Sequence, residues 1–236
     1  MYTFEEINAV LGNVVPLTEE QYRRLDTYAE MLVEYNERVN LTAITAPHEM
    51  LVKHFEDCAH VCAHIPQGAS VVDVGTGAGF PGLIVAMLRD DVRVTLMDSI
   101  AKKLDFVCAV ADELGLECEM VNVRAEVAGR DAEFRESFDV ATARAVAELN
   151  TLAEFCLPLV KVGGRFVAMK GSDAVGELER GRFAIGLLGG GEATAEQFEL
   201  SDGSKRAVVV CEKVAQTPEK YPRAAAQIKK KPLVGG

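Results

Sequence analysis

Residues 71–82 read Val-Val-Asp-Val-Gly-Thr-Gly-Ala-Gly-Phe-Pro-Gly, and this stretch decides how the rest of the chain is interpreted. An apolar run ends in an acid, Asp73, turns through three alternating glycines and enters a helix at Pro81. Proline suits the first position of a helix because its fixed φ and missing N–H cost nothing there. Glycine permits positive φ and close approach of a ligand, and the helix that follows offers unpaired N–H groups. The stretch therefore predicts a strand–loop–helix nucleotide site.

The spacing of the glycines bears on which nucleotide is bound. A dinucleotide fingerprint, G-x-G-x-x-G, counted from Gly75 would need glycine where Phe80 stands. Residues 79–82 do fit G-x-x-G, but with Pro81 where N–H donors are wanted, and a phosphate P-loop would need Lys-Ser/Thr where Leu83-Ile84 stands. The pattern from Asp73 to Gly79, D-x-G-x-G-x-G, resembles the first motif of class I S-adenosyl-L-methionine-dependent methyltransferases. That ligand has no phosphate, which agrees with a loop that has no basic residue nearby.

A second acid follows the next predicted strand. Residues 92–97 alternate and are rich in β-branched residues, which predicts a strand ending at Asp98-Ser99. An acid at this distance beyond the glycine loop accepts hydrogen bonds from ribose hydroxyls. The alternative is that Asp98 only caps the helix beginning at Ile100, and the same acid is expected in dinucleotide folds.

Composition bounds the class of protein. A chain of 236 residues is long enough for one α/β domain with an attached element. No window approaches the ~18 consecutive apolar residues of a membrane span, and residues 1–6 are acidic and lack a signal-peptide core. We therefore expect a cytoplasmic protein with no membrane partner.

Cysteine and histidine give little indication of a metal. The six cysteines are scattered with no Cys-x-x-Cys pair, which favours free buried thiols. His60 and His64 stand one helical turn apart with Cys58 or His54 nearby, but no third ligand has convincing spacing. We expect no metal.

Charge is distributed unevenly along the chain. The net charge of −11 argues against loose, non-specific nucleic-acid binding. From Lys213 onward, however, six basic residues face a single acid, Glu219. This run is interpreted either as a solvated, frayed terminus or as a tail that contacts phosphates.

Periodicity predicts the order of the elements. Thr18 and Gln21 form a capping box, and apolar residues recur at helical spacing behind them. Helices are predicted at 3–12, 18–39, 47–65, 81–89, 100–114, 146–160 and 173–188, and strands at 70–74, 92–97, 118–122, 138–143, 164–169, 193–200 and 205–213. Strands alternating with helices indicate parallel βαβ units, and Ser201-Asp202-Gly203-Ser204 is typical of a hairpin turn.

The predicted fold is therefore α/β, with a seven-stranded, mostly parallel sheet of the class I methyltransferase (Rossmann-like) type and an N-terminal helical extension. Five parallel strands are expected to end in an antiparallel pair. The predicted domains are a helical extension at 1–66, a methyltransferase domain at 67–213 and a basic C-terminal tail at 214–236.

The absence of two known motifs limits which kind of atom could accept a methyl group. Sites that methylate exocyclic amines carry Asn/Asp-Pro-Pro-aromatic after the fourth strand, where this chain has residues 141–146, Ala-Thr-Ala-Arg-Ala-Val. Pyrimidine C5 methylation uses a cysteine nucleophile, typically in Pro-Cys, and the chain has only Cys156-Leu157-Pro158 in a predicted helix. Both absences favour an acceptor with a free lone pair, such as a purine N7, where no proton is removed. We expect catalysis by positioning, with no catalytic acid or base.

Taken together, the motifs resemble one family, ribosomal small-subunit methyltransferase G, also called glucose-inhibited division protein B. The resemblance extends from Asn36 to Leu233. The residues that carry it are Asn40-Leu41-Thr42-Ala43, His54 with Asp57, the stretch 73–82, Asp98-Ser99 with Lys102-Lys103, Ala143-Arg144-Ala145, Lys170-Gly171 and Tyr221-Pro222-Arg223. The chain departs from the family in the tail, where residues 224–228 intervene before Lys229.

The resemblance implies S-adenosyl-L-methionine-dependent methylation of N7 of one guanine, guanine 527, in the decoding-region loop of 16S rRNA. It implies that Gly75 and Phe80 line the methionine and adenosine sides of the donor, that Asp98 and Ser99 hold the ribose, that Ala125 and Glu126 border the adenine and that Arg144 closes the site. The implied donor-binding set is Asp73, Gly75, Gly77, Gly79, Phe80, Asp98, Ser99, Ala125, Glu126 and Arg144.

Some residues match the family without an assigned chemistry. The implied acceptor-side residues are Asn40, His54, Asp57 and Lys170. Alternatively, His54 and Asp57 hydrogen-bond to each other to fix the N-terminal helices, Glu126 is an ordinary helix-start acid and Arg144 forms a surface ion pair.

Other functions remain open on the sequence alone. They are a small-molecule methyltransferase on the same sheet, and a non-catalytic protein that keeps the donor for stability while it binds RNA or another partner. An acidic protein that acts on RNA recognises a shaped surface rather than bare phosphate charge. This favours 16S rRNA within a small ribosomal subunit or an assembly intermediate as the partner.

Overall fold

The computed structural model describes residues 1–144 and 147–235. The helices are α1 (Phe4–Leu11), α2 (Glu19–Asn36), α3 (Pro47–Met50), α4 (Asp57–Ala59), α5 (Gly82–Leu88), α6 (Ala101–Leu114), α7 (Ala125–Ala128), α8 (Leu149–Cys156), α9 (Ala174–Leu187) and α10 (Ala225–Lys230). The strands are β1 (Ser70–Val74), β2 (Arg93–Met97), β3 (Cys118–Val121), β4 (Phe138–Arg144), β5 (Val160–Lys170), β6 (Gly190–Glu199) and β7 (Lys205–Lys213). Among these residues, no helix has both the length and the apolar character that crossing a bilayer requires.

All seven strands form one sheet in the order β3-β2-β1-β4-β5-β7-β6. Strands β1 to β5 pair in parallel, whereas β7 is antiparallel to both β5 and β6. The seven-stranded, mostly parallel sheet is thus confirmed. Because β7 is antiparallel to both neighbours, β6 runs in the same direction as β1 to β5, and β7 is the strand that reverses. The carboxyl ends of β1 to β5 gather at one edge, where ligands bind in folds of this kind.

Local sequence accounts for most element boundaries. Capping boxes at Thr3 and Thr18 begin α1 and α2, each with reciprocal hydrogen bonds to the third residue of the helix. The structure corrects one boundary in the decisive stretch, since Pro81 precedes the first helical residue, Gly82. The N–H that matters there belongs to Gly82, and a proline at that position could not supply it.

The third predicted helix, 47–65, is not a regular α-helix. Between α3 and α4 the chain makes a π-helical stretch, Leu51–Glu56, and a 3-10 stretch, His60–His64, ends the segment. A π-helical stretch is closed by hydrogen bonds five residues apart rather than four, so each turn contains more residues, and such stretches are frequent at functional sites. Single-sequence periodicity could not separate it from an α-helix.

Two further helices were not predicted, α7 after β3 and α10 in the tail. The helix predicted at 146–160 is observed as α8 and a 3-10 turn at Leu157–Leu159, and its first predicted residue lies outside the described ranges. Strand β6 begins at Gly190 rather than at 193, because the glycine run contributes its first residues.

Both faces of the sheet are covered by packed apolar layers. The N-terminal helices, α5 and α6 bury one face, and α8, α9 and the tail bury the other. Tyr28 of α2 is fully buried in the first layer, and its hydroxyl donates to the carbonyl of Ala78 in the glycine loop at 2.6 Å. The N-terminal helices are therefore attached directly to the loop that the sequence singled out.

The scattered cysteines and histidines fill structural roles. All six cysteines are free, but only four are buried as predicted, since Cys108 and Cys118 are partly exposed. His60 stacks on Phe198 with 3.7 Å between ring centroids, and His64 lies 3.8 Å from the Glu196 carboxylate. The described residues contain no group of three or more His, Cys, Asp or Glu side chains that could hold a metal ion.

The C-terminal tail is folded onto the domain. Ile228 of α10 is fully buried, and Glu154 of α8 is buried beneath the tail. Arg223 donates from Nη2 and Nε to the Glu154 carboxylate at 2.6 and 2.8 Å. The frayed terminus, one of the two interpretations of the basic run, is therefore not what the structure contains.

Replacing Arg223 with methionine should lower the free energy of unfolding by about 3 kcal/mol, because it leaves the buried Glu154 carboxylate without its charge partner. Urea denaturation measures this change. The double variant R223M/E154Q should recover much of the loss, since no buried charge is then left alone. The control is R182M, which breaks an exposed pair and should change little. Equal losses of unfolding free energy in R223M and R182M would contradict the prediction that the buried pair of Arg223 and Glu154 stabilises the fold.

Candidate functional site

Two clefts open at the carboxyl edge of the sheet. The first, the glycine-loop cleft, has a volume of about 460 Å³ and is lined by Gly75, Asp98, Ser99, Ala125 and Glu126, among others. The second, the His54 cleft, has about 450 Å³ and is lined by His54, Asp57, Arg144 and Lys170 together with Lys53 and Arg206. Ala147 and Glu148 line both, so the two clefts adjoin.

The glycine loop adopts the backbone that the sequence predicts. Gly75, Gly77 and Gly79 have φ of 73°, 61° and 103°, in the left-handed region that favours glycine. The N–H groups of Gly75 and Thr76 donate to the Met97 carbonyl at 2.8 and 3.0 Å, which fastens the loop to the end of β2. Gly75 leaves the bare main chain facing the cleft.

The remaining glycines serve packing. A Cβ at Gly79 would collide with Leu83, and a Cβ at Gly82 would collide with Leu96 of β2 and with Asp73. Gly82 thus permits the close approach of helix and strand that the third glycine provides in dinucleotide folds. Gly79 is needed for the fold of the loop rather than for room for a ligand.

Asp73 supports the loop from below. Its carboxylate is fully buried, and Oδ2 accepts a hydrogen bond from the Gly82 N–H at 2.8 Å, while Oδ1 has no partner. Burial raises the pKa of Asp73 to about 6, although the hydrogen bond from the Gly82 N–H opposes the shift. Because this side chain has no exposed surface, it acts on the cleft only through the loop.

Asp98 both lines the cleft and holds main-chain groups. Its Oδ2 accepts from the Gly77 N–H at 3.0 Å, and its Oδ1 accepts from the Ile100 N–H at 2.9 Å. The helix cap considered as an alternative is not formed, because Ile100 is the N-cap residue of α6 and no side chain caps that helix. Asp98 instead makes a turn contact to the Ile100 N–H and lines the cleft. Each carboxylate oxygen has a second lone pair left for a ligand hydroxyl. Ser99 follows at an exposed position in the same cleft.

The far wall of this cleft combines Ala125 and Glu126, which the family resemblance implies, with parts of the chain that the sequence analysis did not include. Ala125 and Glu126 belong to the short helix α7. Asn150, Thr151 and Phe155 of α8 face the cleft, as do Ala225, Lys229 and Pro232 of the tail. No sequence motif marked the residues of α8 and the tail, since only the folding of the tail over α8 brings them together.

Neither Phe80 nor Arg144 lines the glycine-loop cleft; Arg144 lines the His54 cleft, and Phe80 packs against Arg144 and His54. The Phe80 side chain is 4% exposed, and the Arg144 guanidinium carbon lies 4.4 Å from its ring centroid. The His54 ring is also 4.4 Å from Phe80, centroid to centroid. Of the implied donor-binding residues, these two are therefore placed on the other side of the loop, and Arg144 lines the His54 cleft.

His54 is held as a neutral imidazole. Arg144 Nη1 lies 3.0 Å from His54 Nδ1, and Thr42 Oγ1 lies 2.9 Å from Nε2. A guanidinium only donates, so we assign Nδ1 as the acceptor and place the proton on Nε2. Burial, with a smaller contribution from the Arg144 charge, lowers the pKa of His54 to about 3.

The other ionisable groups of the His54 cleft also have partners. Burial raises the pKa of Asp57 to about 6, against the Arg144 and Arg206 charges, and Arg206 Nε lies 3.6 Å from its carboxylate. Lys170 Nζ contacts the Glu177 carboxylate and the Ala147 carbonyl, both at 2.6 Å. His54 and Asp57 thus bond to other partners, not to each other as the alternative had it.

Two residues that carry the family resemblance are not among the described residues that line either cleft. Asn40 is exposed in the loop after α2 and does not line either cleft. It is Asn36 that organises this loop, since its side-chain oxygen accepts from the N–H groups of Leu41 and Thr42 at 2.8 and 2.9 Å. Ala145, part of the Ala143-Arg144-Ala145 motif, lies outside the described residues.

Comparison with known proteins gives the family. A model described as rRNA small subunit methyltransferase G matches residues 21–207. A relative from Clostridium perfringens named ribosomal RNA small subunit methyltransferase G is 44% identical over 220 residues, which cover 91% of this chain and 92% of the relative. The chain belongs to the rRNA small subunit methyltransferase G family. A relative of the same name from Brevibacillus brevis is 44% identical over 235 residues, 98% of each chain.

Solved structures agree on the fold. An O-methyltransferase from Bacillus cereus, in complex with SAH, superposes with a TM-score of 0.56 at 19% identity, covering 89% of this chain and 96% of that one. A SAM-dependent O-methyltransferase from Thermotoga maritima gives 0.53 at 13% identity, covering 80% and 73%. At these identities the likeness shows the fold alone. The class I S-adenosyl-L-methionine-dependent methyltransferase fold is thus confirmed.

The low pKa of His54 predicts a pH effect on stability. The pKa of His54 is 6.5 in the unfolded chain and about 3 in the folded chain. At pH values between these two, only the unfolded chain binds a proton at His54, so the free energy of unfolding falls as the pH falls. Wild type should lose about 2 kcal/mol relative to His54→Gln between roughly pH 7 and pH 5, measured by urea denaturation. His48→Gln, an exposed position of the same helical segment, should keep the wild-type slope. Parallel curves for wild type and His54→Gln would show that His54 is protonated in the fold.

Proposed function

We propose that this protein uses S-adenosyl-L-methionine to methylate N7 of guanine 527 in the decoding-region loop of 16S rRNA. The observation that carries the proposal is the junction of the two clefts at Ala147 and Glu148. One cleft has the lining expected for the methyl donor, and the adjoining one has no acid or base left free among its described residues. Such a site suits an acceptor that already has a lone pair and has no proton to lose.

The glycine-loop cleft fits the donor. Its volume of about 460 Å³ lies within the range of small-ligand pockets, ~300–1,000 Å³. Gly75 would hold the methionine end through the main chain, Asp98 and Ser99 the ribose, and Ala125 and Glu126 the adenine. When bound, S-adenosyl-L-methionine supplies a methyl group activated by its sulfonium, and the N7 lone pair displaces it without loss of a proton.

The His54 cleft would position the guanine. Neutral His54 and Arg144 form a fixed pair over Phe80, with Lys170 held at the cleft wall by Glu177. Positioning of donor and acceptor can lower the barrier by on the order of 7–11 kcal/mol, which is the main contribution this displacement needs. Asp57 is engaged by Arg206, so no step of proton removal is assigned to it.

The relatives' printed names support the substrate, since each is a methyltransferase of small-subunit ribosomal RNA. The acidic surface favours a shaped particle over naked RNA. We therefore propose the small ribosomal subunit or one of its assembly intermediates as the partner.

The product should be N7-methylguanine at a single position. Small subunits from a strain lacking this gene, incubated with the protein and S-adenosyl-L-methionine, should become cleavable at guanine 527 by borohydride and aniline, which cut RNA at this base. Mass spectrometry of the digested rRNA confirms the modified base. Unchanged N7 methylation in rRNA from the deletion strain would refute the proposal, and turnover of a small molecule without any RNA would favour the alternative methyltransferase.

A glycine pair provides the matched control for this assay. Gly75→Leu should abolish methylation, because the side chain enters the cleft at a φ of 73°. Gly68→Leu has similar backbone strain, with a φ of 71°, but lies in the turn before β1 with no atoms crowding its Cβ, and should keep activity. If Gly75→Leu left the biological function intact, a non-catalytic role would be indicated.

Asp98→Asn should raise the dissociation constant for S-adenosyl-L-methionine roughly 10- to 100-fold, because hydrogen bonds to a charged acceptor are worth ~1.5–3 kcal/mol. Isothermal titration calorimetry measures the change. Asp105→Asn, an exposed acid in α6, is the control and should bind as wild type does. Unaltered affinity in Asp98→Asn would remove Asp98 from the proposed ribose site.

A further inference from the structure

The tail carries positive charge that the rest of the protein does not neutralise. Residues 213–236 contain six basic residues and one acidic residue, whereas the whole chain has a net charge of −11. Two of the six, Lys213 and Arg223, pair with Glu136 and Glu154. The other four have no carboxylate partner among the described residues, and all four are exposed: Lys220, Lys229, Lys230 and Lys231.

These four lysines are held in place rather than carried on a loose end. Arg223 not only pairs with Glu154 but also donates from Nη1 to the Lys231 carbonyl at 2.9 Å, so one buried ion pair fixes the end of the lysine run. Ile228, fully buried, anchors α10 just before it. Arg130 donates to the carbonyls of Lys220 and Pro222 at 3.0 and 2.7 Å. A partner that binds these charges therefore need not order the tail first.

A groove runs beside the lysines. It lies between α7 and the tail, with a volume of about 850 Å³, and Arg130, Lys220, Tyr221 and Gln227 line it. The Lys220 ammonium lies 5.3 Å from the Tyr221 ring centroid, a cation–π contact that keeps this charge at the groove.

The groove also connects with the site. Glu126 and Ala225 line both the groove and the glycine-loop cleft, and Lys229 lines that cleft. A continuous surface thus leads from the lysines across the glycine-loop cleft to the His54 cleft.

We propose that Lys220 and the Lys229–Lys231 run form a docking surface for the sugar–phosphate backbone of the rRNA whose guanine enters the His54 cleft. The proposal rests on the proposed function for the identity of that RNA. Held cations bind phosphates and release the counterions condensed on the RNA, which is favourable at low salt. The acidic remainder of the protein repels RNA elsewhere, so the two charge distributions together orient the RNA on the protein.

The test is the salt dependence of binding to small ribosomal subunits, measured by filter binding without S-adenosyl-L-methionine. In the variant K220A/K230A/K231A, the slope of log affinity against log salt should fall in magnitude by about 2. The two lines should meet near 1 M salt, so the affinity of the variant should be about 100-fold weaker near 0.1 M salt. Calorimetric affinity for S-adenosyl-L-methionine should stay at the wild-type value, because none of the three residues lines the glycine-loop cleft.

The control is R23A/R93A/K161A, which removes the same charge from exposed positions, two of them at the amino ends of β2 and β5. It should keep the wild-type slope. An unchanged slope in K220A/K230A/K231A would overturn the proposal, and so would an equal loss in the control, which would indicate net charge alone. The binding assay does not measure methylation. If the proposed reaction were wrong, the salt dependence would therefore still show whether these lysines bind the RNA.

Discussion

The hydrogen bond from the Gly82 N–H to the buried Asp73 carboxylate is the contact on which the site depends. It joins the end of β1 to the first residue of α5, so the loop between them must turn tightly enough to need positive φ. The bond forms only because Gly82 has no Cβ to hold the helix away from Leu96. A second carboxylate, Asp98, holds the same loop from the cleft side through the Gly77 N–H. The buried carboxylate of Asp73 and the cleft-lining carboxylate of Asp98 thus hold the main chain of the loop between them.

Features with a local cause could be predicted from the sequence. The capping boxes, the alternating strands and helices, the glycine loop and the acid after β2 all lie within a few residues of the signal that specifies them. The position of Phe80 could not be predicted in this way, because the side of the loop to which its ring turns depends on His54 and Arg144, distant in sequence. The π-helical stretch that carries His54 has no periodicity distinct from an α-helix over so few residues. The tail wall depends on long-range contacts, among them the ion pair of Arg223 with Glu154 and the hydrogen bonds from Arg130.

The His54 cleft illustrates how burial and pairing determine what a site can do. Its imidazole is kept neutral by burial and, to a smaller extent, by a neighbouring guanidinium. Its aspartate is engaged by another guanidinium, and its lysine is bound by Glu177. Histidine and aspartate together would ordinarily suggest proton transfer. Here each of these three groups already has a partner, which supports our proposal that the cleft positions the acceptor. Reactions that must remove a proton from their acceptor would be poorly served by it.

The contact between Tyr28 and Ala78 gives the amino-terminal helices a further significance. A boundary near residue 66 is a reasonable division of the sequence, but the hydroxyl of a fully buried tyrosine on one side of it bonds to the loop on the other. Cutting the chain there would leave that carbonyl without its donor and an apolar face open to water. The extension and the sheet therefore share one buried apolar layer, and a shortened version made for engineering purposes would need a substitute for this lost support.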